Sequence, residues 1–190
     1  MRLSGAKIVM RGKENIEKEK SYVFICNHRS YLDTATIFAH TGKRIGVIAK
    51  KEVLKVPILG YGMTYVNIMA IDRSNNQRAV ETMKAATDRL RAGISYAIFA
   101  EGTRAMPGEL LPFKKGAFYM AIEGQVPIIP VAIKNSDNLM GKKTGVAQPG
   151  TIEVVFLPPV SIEGLLPNDK DVVKLRDDVH AIVKDELYKS

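Results

Sequence analysis

A histidine and a carboxylate five positions apart, in Asn27-His28-Arg29-Ser30-Tyr31-Leu32-Asp33, are the residues of this chain best placed by type and spacing to move a proton. An imidazole can take a proton from a reacting group near neutral pH, and a carboxylate beside it fixes the tautomer and stabilises the imidazolium that forms. On one continuous helix a five-residue offset turns two side chains about 140° apart, so this pair can meet only if the helix begins between them. Ser30 predicts such a start, because Ser30-x-x-Asp33 has the spacing of a capping box in which both side chains satisfy free backbone N–H groups. His28 is then expected to lie exposed in a strand-to-helix turn, with Asp33 beside it in the first helical turn. The same spacing also fits a helix cap next to an incidental loop histidine.

Cations follow two strand-like runs. Asp72-Arg73 comes after Thr64 to Ile71, and Glu101-Gly102-Thr103-Arg104 after Tyr96 to Ala100. A guanidinium presents a rigid fork of donors suited to phosphate oxygens, and Gly102 lets backbone approach a ligand closely. Lys114 and Lys115, in Pro112-Phe113-Lys114-Lys115-Gly116, are expected at a helix N-terminus that already favours an anion. A base beside a phosphate-binding cluster points to chemistry on a phosphorylated alcohol. Cys26 reads as a small buried thiol, and His40 and His180 fall in helical patterns with no evident partner.

The elements that must position these groups are seven β-rich runs: Lys7 to Met10, Tyr22 to Cys26, Ile45 to Ala49, Thr64 to Ile71, Tyr96 to Ala100, Ile128 to Ile133 and Ile152 to Phe156. Several are apolar on both alternations, as strands covered on both faces are. Between them, Val80, Met83, Ala86 and Leu90 mark a helix that starts after Ser74 or Asn75 and stops before Gly93. A second helix is expected from about Phe113 to Gly124. A third opens at Asp169 to Asp171, with an apolar stripe of Val172, Leu175, Val179, Ile182, Val183 and Leu187 that reads as core packing. Strands alternating with helices predict an α/β fold: a single domain over residues 1–190, with a roughly seven-stranded mixed sheet flanked by helices. Ligands in such sheets gather beyond the strand ends.

The chain has 190 residues, 46% hydrophobic and 25% charged, with a net charge of +8. The excess lies in the first half, where residues 1 to 95 hold 17 Lys and Arg against 8 Asp and Glu, while residues 96 to 190 hold 11 against 12. This asymmetry suits an anionic partner: an acidic carrier protein, a membrane surface or a phosphorylated substrate. A nucleic-acid partner is not expected, because no aromatic RNA-binding block, zinc spacing or basic heptad helix accompanies the charge. The longest apolar run, Val126 to Ile133, is far below the ~18 residues of a membrane span. No signal peptide is visible, and one cysteine cannot form an internal disulfide, so an intracellular, reducing compartment is expected.

Four ordered blocks, covering nearly the whole chain with their connecting segments, resemble the glycerolipid acyltransferase family, and within it the 1-acyl-glycerol-3-phosphate (lysophosphatidate) acyltransferases. Asn27 to Asp33 is similar to the family's NHxxxxD motif, Ile71-Asp72-Arg73 to its second block, Phe99 to Arg104 to its FPEGTR motif, and Val126 to Val131 to its fourth block. Lys50 to Leu54 and Leu111 to Phe118 resemble the segments between them. The resemblance implies a glycerol-3-phosphate acyltransferase-like fold and transfer of a fatty acyl group from acyl-CoA or acyl carrier protein to the sn-2 hydroxyl of lysophosphatidic acid, giving phosphatidic acid. His28 would be the general base and Asp33 its orienting carboxylate. Arg73 and Arg104 would bind the acceptor phosphate, with Glu101, Gly102 and Thr103 in the same site. Lys114 and Lys115 join that site from the helix-terminus argument above. No metal or other cofactor is implied, and the protein is expected to be peripheral on the cytoplasmic face of a membrane. Two departures stand out: Ala100 replaces the family's usual proline, and the family's N-terminal membrane-anchoring helices are not expected in this chain.

Overall fold

Val23, Phe24, Ile25 and Cys26 are apolar at every position and all four are buried, because their strand lies in the middle of the sheet with side chains packed on both faces. The computed structural model describes residues 2–3, 6–41, 45–50, 68–72, 74–140 and 148–189. Its strands are β1 (Arg2–Leu3), β2 (Ala6–Arg11), β3 (Val23–Cys26), β4 (Ile45–Lys50), β5 (Ile68–Ile71), β6 (Ser95–Phe99), β7 (Ile128–Lys134) and β8 (Gly150–Phe156). The helices are α1 (Leu32–His40), α2 (Asn76–Arg91), α3 (Gly116–Gly124), α4 (Ser136–Met140) and α5 (Asp169–Tyr188).

The sheet order is β1-β2-β8-β7-β3-β6-β4-β5. β7, β3, β6, β4 and β5 run parallel, and β8 joins β7 antiparallel and carries β2 parallel on its far side. The sheet is therefore mixed, and all seven expected strands lie in it. The two-residue β1, too short to show a period, is an added edge. Residues 64–67 of the expected fourth run, and most of the Lys50 to Leu54 segment, fall outside the described residues.

Alternation along β3 divides the core. Val23 and Ile25 face α2, α3 and α5 with Leu90, Phe118, Ile122, Val172 and Val179, while Phe24 and Cys26 face Leu32, Ile37, Leu139 and Phe156. α2 is capped by the Asn75 side chain, which accepts from the Arg78 amide, and α5 in the same way by Asn168 and the Asp171 amide. Gly124 lets α3 approach α2, since a Cβ there would lie 2.7 Å from Leu90 Cδ2. The stripe of α5 is core, as its spacing predicts, with Val172, Leu175, Val179 and Val183 buried.

Two boundaries differ from the sequence pattern. α3 begins at Gly116, because Phe113 turns into the core and the Lys114 amide donates to the Ala100 carbonyl oxygen at 2.8 Å. Val80 is 68% exposed, because the first turns of α2 border a cavity instead of packing on the sheet.

The register of β3 on β6 decides which residues leave the sheet together. Cys26 pairs with Phe99, so two parallel strands end side by side and release Asn27-His28 and Ala100-Glu101 at the same level. Phe118 has no exposed surface and sits where α3 meets the sheet. Phe118→Ala is expected to cost about 3–5 kcal/mol of unfolding free energy, measured by chemical denaturation.

Candidate active site

The turn after β3 begins with a side chain that takes the place of a backbone. Asn27 Nδ2 donates to the Ile133 carbonyl oxygen at 3.0 Å and Asn27 Oδ1 accepts from the Ile133 amide at 2.7 Å, continuing the β3–β7 ladder one step past the end of β3. The main chain is thereby released from the sheet at His28. His28 is then held at three points. Its amide donates to Glu101 Oε1 at 2.6 Å, its carbonyl accepts from the Ala105 amide at 2.8 Å, and its Nδ1 lies 2.9 Å from Asp33 Oδ2. The ring stacks on Phe99 with centroids 4.3 Å apart. Sequence alone predicts an exposed histidine; the side chain is only 18% exposed, because Phe99 covers one face and Asp33 one edge.

Asp33 is fully buried, and its Oδ2 also accepts from the Arg29 and Ser30 amides, each at 2.8 Å. The Ser30 hydroxyl accepts from the Leu32 amide at 3.1 Å. Only the carboxylate half of the expected capping box is present: the cap position falls at Tyr31, which makes no side-chain cap bond, the Ser30 hydroxyl closes a local turn onto Leu32, and the Asp33 amide reaches the Ser30 carbonyl at 3.4 Å. Oδ2 already accepts from two amides, so the contact suits an Nδ1–H donor, the tautomer of the neutral ring in which Nε2 keeps the lone pair. Both residues come together as their spacing predicts, the helix beginning between them.

Glu101 is 2% exposed, and its second oxygen accepts from the Leu111 amide at 2.8 Å. Glu101, expected within the phosphate-binding site, is an acceptor whose two oxygens are both taken by backbone amides, so it contacts no anion and instead binds the two loops to each other. Burial holds its carboxyl above the ordinary glutamate range, against the opposing effect of the His28 and Leu111 amides. Cys26 is buried and its thiol is pushed up by burial and further by Asp33, which suits a core residue and not a nucleophile.

The candidate phosphate ligands separate. Arg104 lies with its guanidinium carbon 3.7 Å from the centroid of the Tyr31 ring, and its Nη1 is shielded from solvent with no hydrogen-bond partner among the described residues. Lys114 runs across Gly102, whose φ of +74° and lack of a side chain leave room for it; a Cβ there would meet Lys114 Cε at 2.9 Å. Thr103 is exposed beside them. Lys115 does not join this group: its Nζ binds Asp169 at 2.8 Å, at the start of α5. Arg73 lies outside the described residues.

Three neighbours were not legible as site residues from spacing. Tyr31 and Phe99 are aromatic groups within runs that read as helix start and strand. Arg29, 6% exposed, donates through Nε to the Glu109 carbonyl at 2.7 Å and through Nη2 to the Tyr188 hydroxyl at 3.3 Å, pinning the loop that carries Arg104. Beside Phe99, Gly102 and Lys114 opens a cavity of about 710 Å³ between α2, α3 and the strand ends, with Val80, Met83 and Met120 among its apolar walls.

A mixed α/β sheet thus brings together, at the ends of two neighbouring strands, a histidine–aspartate pair and an arginine whose Nη1 has no hydrogen-bond partner among the described residues. The family model called Acyltransferase matches residues 7–134, and the chain belongs to that family. It is 35% identical over 192 residues to the 1-acyl-sn-glycerol-3-phosphate acyltransferase of Saccharomyces cerevisiae, covering 97% of this chain and 62% of that protein. It is 40% identical over 163 residues to an uncharacterized acyltransferase of Schizosaccharomyces pombe, covering 84% and 58%, and 36% identical over 169 residues to the alpha form of the mouse enzyme, covering 88% and 59%. The chain thus spans about three-fifths of the length of these relatives. The crystal structure of the 1-acyl-sn-glycerophosphate (LPA) acyltransferase from Thermotoga maritima superposes with a TM-score of 0.82 at 29% identity, covering 95% of this chain and 70% of that one.

The raised Glu101 carboxyl gives a signed expectation. The folded state binds its proton more tightly than the unfolded state, so the contribution of Glu101 to stability falls as pH rises from about 4.5, the ordinary value, through the raised one. Unfolding free energies across this range should fall with pH in the wild type relative to Glu101→Gln, which lacks the titrating group.

Proposed function

We propose that this protein transfers a fatty acyl group from a thioester to the sn-2 hydroxyl of lysophosphatidic acid, giving phosphatidic acid. The observation that carries the reading is the His28 Nδ1–Asp33 bond, which leaves Nε2 free, on the turn that is itself bonded to the loop bearing Arg104, whose Nη1 has no hydrogen-bond partner among the described residues. The names of the yeast and mouse relatives and of the Thermotoga enzyme support the same acceptor.

In this mechanism Nε2 takes the hydroxyl proton as the acceptor oxygen bonds to the thioester carbonyl carbon. Asp33 stabilises the imidazolium that results. The C–S bond then breaks, and the imidazolium returns the proton to the departing thiolate. The step needs no covalent enzyme intermediate, which agrees with the buried state of Cys26. Arg104 and Lys114 hold the acceptor phosphate; Arg73 has that role from the resemblance of its block. The donor is acyl-CoA or acyl carrier protein, and the apolar cavity beside Phe99 has the size and lining of a ligand pocket suited to an acyl chain. Among the described residues no helix is long and apolar enough to cross a membrane. A peripheral position on the cytoplasmic membrane surface that holds the acceptor completes the proposal.

The test is release of free thiol from long-chain acyl-CoA, or from acyl carrier protein, with lysophosphatidic acid in liposomes and identification of the lipid product. Acceptor-dependent release yielding phosphatidic acid is expected. His28→Ala should lower turnover by roughly 10²- to 10⁴-fold while the protein stays folded; near-normal turnover in that variant removes His28 from the mechanism. Arg104→Ala should raise the KM for lysophosphatidate. Release without acceptor would instead identify a thioesterase, and liposome binding without transfer a lipid-binding module.

A further inference from the structure

We propose that Tyr31 is a positioning residue for the acceptor phosphate, its ring being the platform that holds the Arg104 guanidinium flat and turns its donor edge toward the anion. The inference rests on the reading of Arg104 as an acceptor ligand and goes beyond it by assigning a residue that neither the histidine pair nor the arginine loop requires.

Tyr31 is 53% exposed, so burial in the core does not account for its position. The 3.7 Å separation of the Arg104 guanidinium carbon from the ring centroid puts the cation against the aromatic face, where the ring quadrupole attracts it and the two planes can stack. A free arginine has many rotamers, and an anion that must order one loses affinity in doing so; the ring has already ordered this one. The stack also fixes where the anion can sit. Tyr31 belongs to the turn that carries His28, and Arg104 to the loop that bonds this turn through the Ala105 amide and the His28 carbonyl. The ring therefore sets the phosphate subsite at a constant offset from the base.

A second arginine on the same turn shows what a structural guanidinium looks like here. Arg29 also lies over a tyrosine, with its guanidinium carbon 5.9 Å from the Tyr188 centroid. Its donors, however, are spent on the Glu109 carbonyl and the Tyr188 hydroxyl, and its charge faces Asp137 at 3.8 Å. Arg104 has closer contact with its ring and a shielded Nη1 with no acceptor among the described residues. Of the two, Arg104 is the one whose guanidinium makes no hydrogen bond among the described residues, and it is only partly buried, so donors other than Nη1 remain for an incoming anion.

The experiment compares Tyr31→Ala, Tyr31→Phe, Arg104→Ala and the Tyr31→Ala/Arg104→Ala double variant by KM and kcat for lysophosphatidate. Tyr31→Ala should raise KM by about two- to tenfold with kcat little changed, the range of a cation–π contact. Tyr31→Phe should behave as wild type. The double variant should be no worse than Arg104→Ala alone, because the ring acts only through the guanidinium. The chain has no tryptophan, so Tyr31→Trp adds a single indole whose emission reports binding without turnover. It should respond to lysophosphatidate below its micellar concentration and not to a monoacylglycerol of the same chain length, and the response should vanish when Arg104→Ala is added. A raised KM in Arg104→Ala with none in Tyr31→Ala, additive effects in the double variant, or a silent indole would overturn the role of Tyr31. An unchanged KM in Arg104→Ala would overturn the acceptor reading itself.

Discussion

Two carboxylates that water barely reaches, Asp33 and Glu101, hold the turn that carries His28 together. Between them they accept from the amides of His28, Arg29, Ser30 and Leu111 and from the imidazole Nδ1. Removing a carboxylate from water is costly unless its oxygens are hydrogen-bonded. A chain that leaves a strand and enters a helix has the complementary difficulty of backbone N–H groups without partners. Here each largely answers the other, through both oxygens of Glu101 and Oδ2 of Asp33, while Asp33 Oδ1 has no partner among the described residues. The bonds that make the turn stable are also the bonds that aim the imidazole, so the His28 ring cannot be loosened without leaving buried polar groups unsatisfied.

The sheet makes this exchange possible. Asp33 is local to the turn, but Glu101 arrives from 73 positions away, delivered by the in-register pairing of Cys26 with Phe99. Because β3 is packed on both faces, that register cannot slip without forcing Phe24 and Cys26 into the space shaped for Val23 and Ile25. The rigidity of the core is thus transmitted to the site through only a few residues of chain.

How much of this was legible in sequence depends on the range of each interaction. The meeting of His28 and Asp33 was readable because a helix start is a local event, although the cap falls at Tyr31, one residue later than Ser30 suggested, and the Asp33 carboxylate, not the Ser30 hydroxyl, takes the free amides of Arg29 and Ser30. The seven strands and the stripe of α5 were readable because burial on one or two faces imposes a period. The role of Glu101 was not, since its partners become neighbours only when β3 and β6 pair. Lys115 looked equivalent to Lys114, yet one binds Asp169 and the other crosses Gly102; adjacent residues entering a helix point in different directions, and only the packing of α5 decides which meets an anion. Val80 fits the apolar period of α2 and still faces open space, because a period reports a face without saying what lies against it.

Asn27 places a limit on how this protein can vary. Loops ordinarily absorb changes of length, but the segment from Asn27 to Asp33 is fastened at one end to Ile133 of β7 and at the other to the first turn of α1. One residue more or fewer between those fastenings would leave the carboxamide facing no ladder or the imidazole facing no carboxylate. The segment can therefore change at positions whose side chains make none of these bonds but not in length, and variation of what the site accommodates must come from the walls around it.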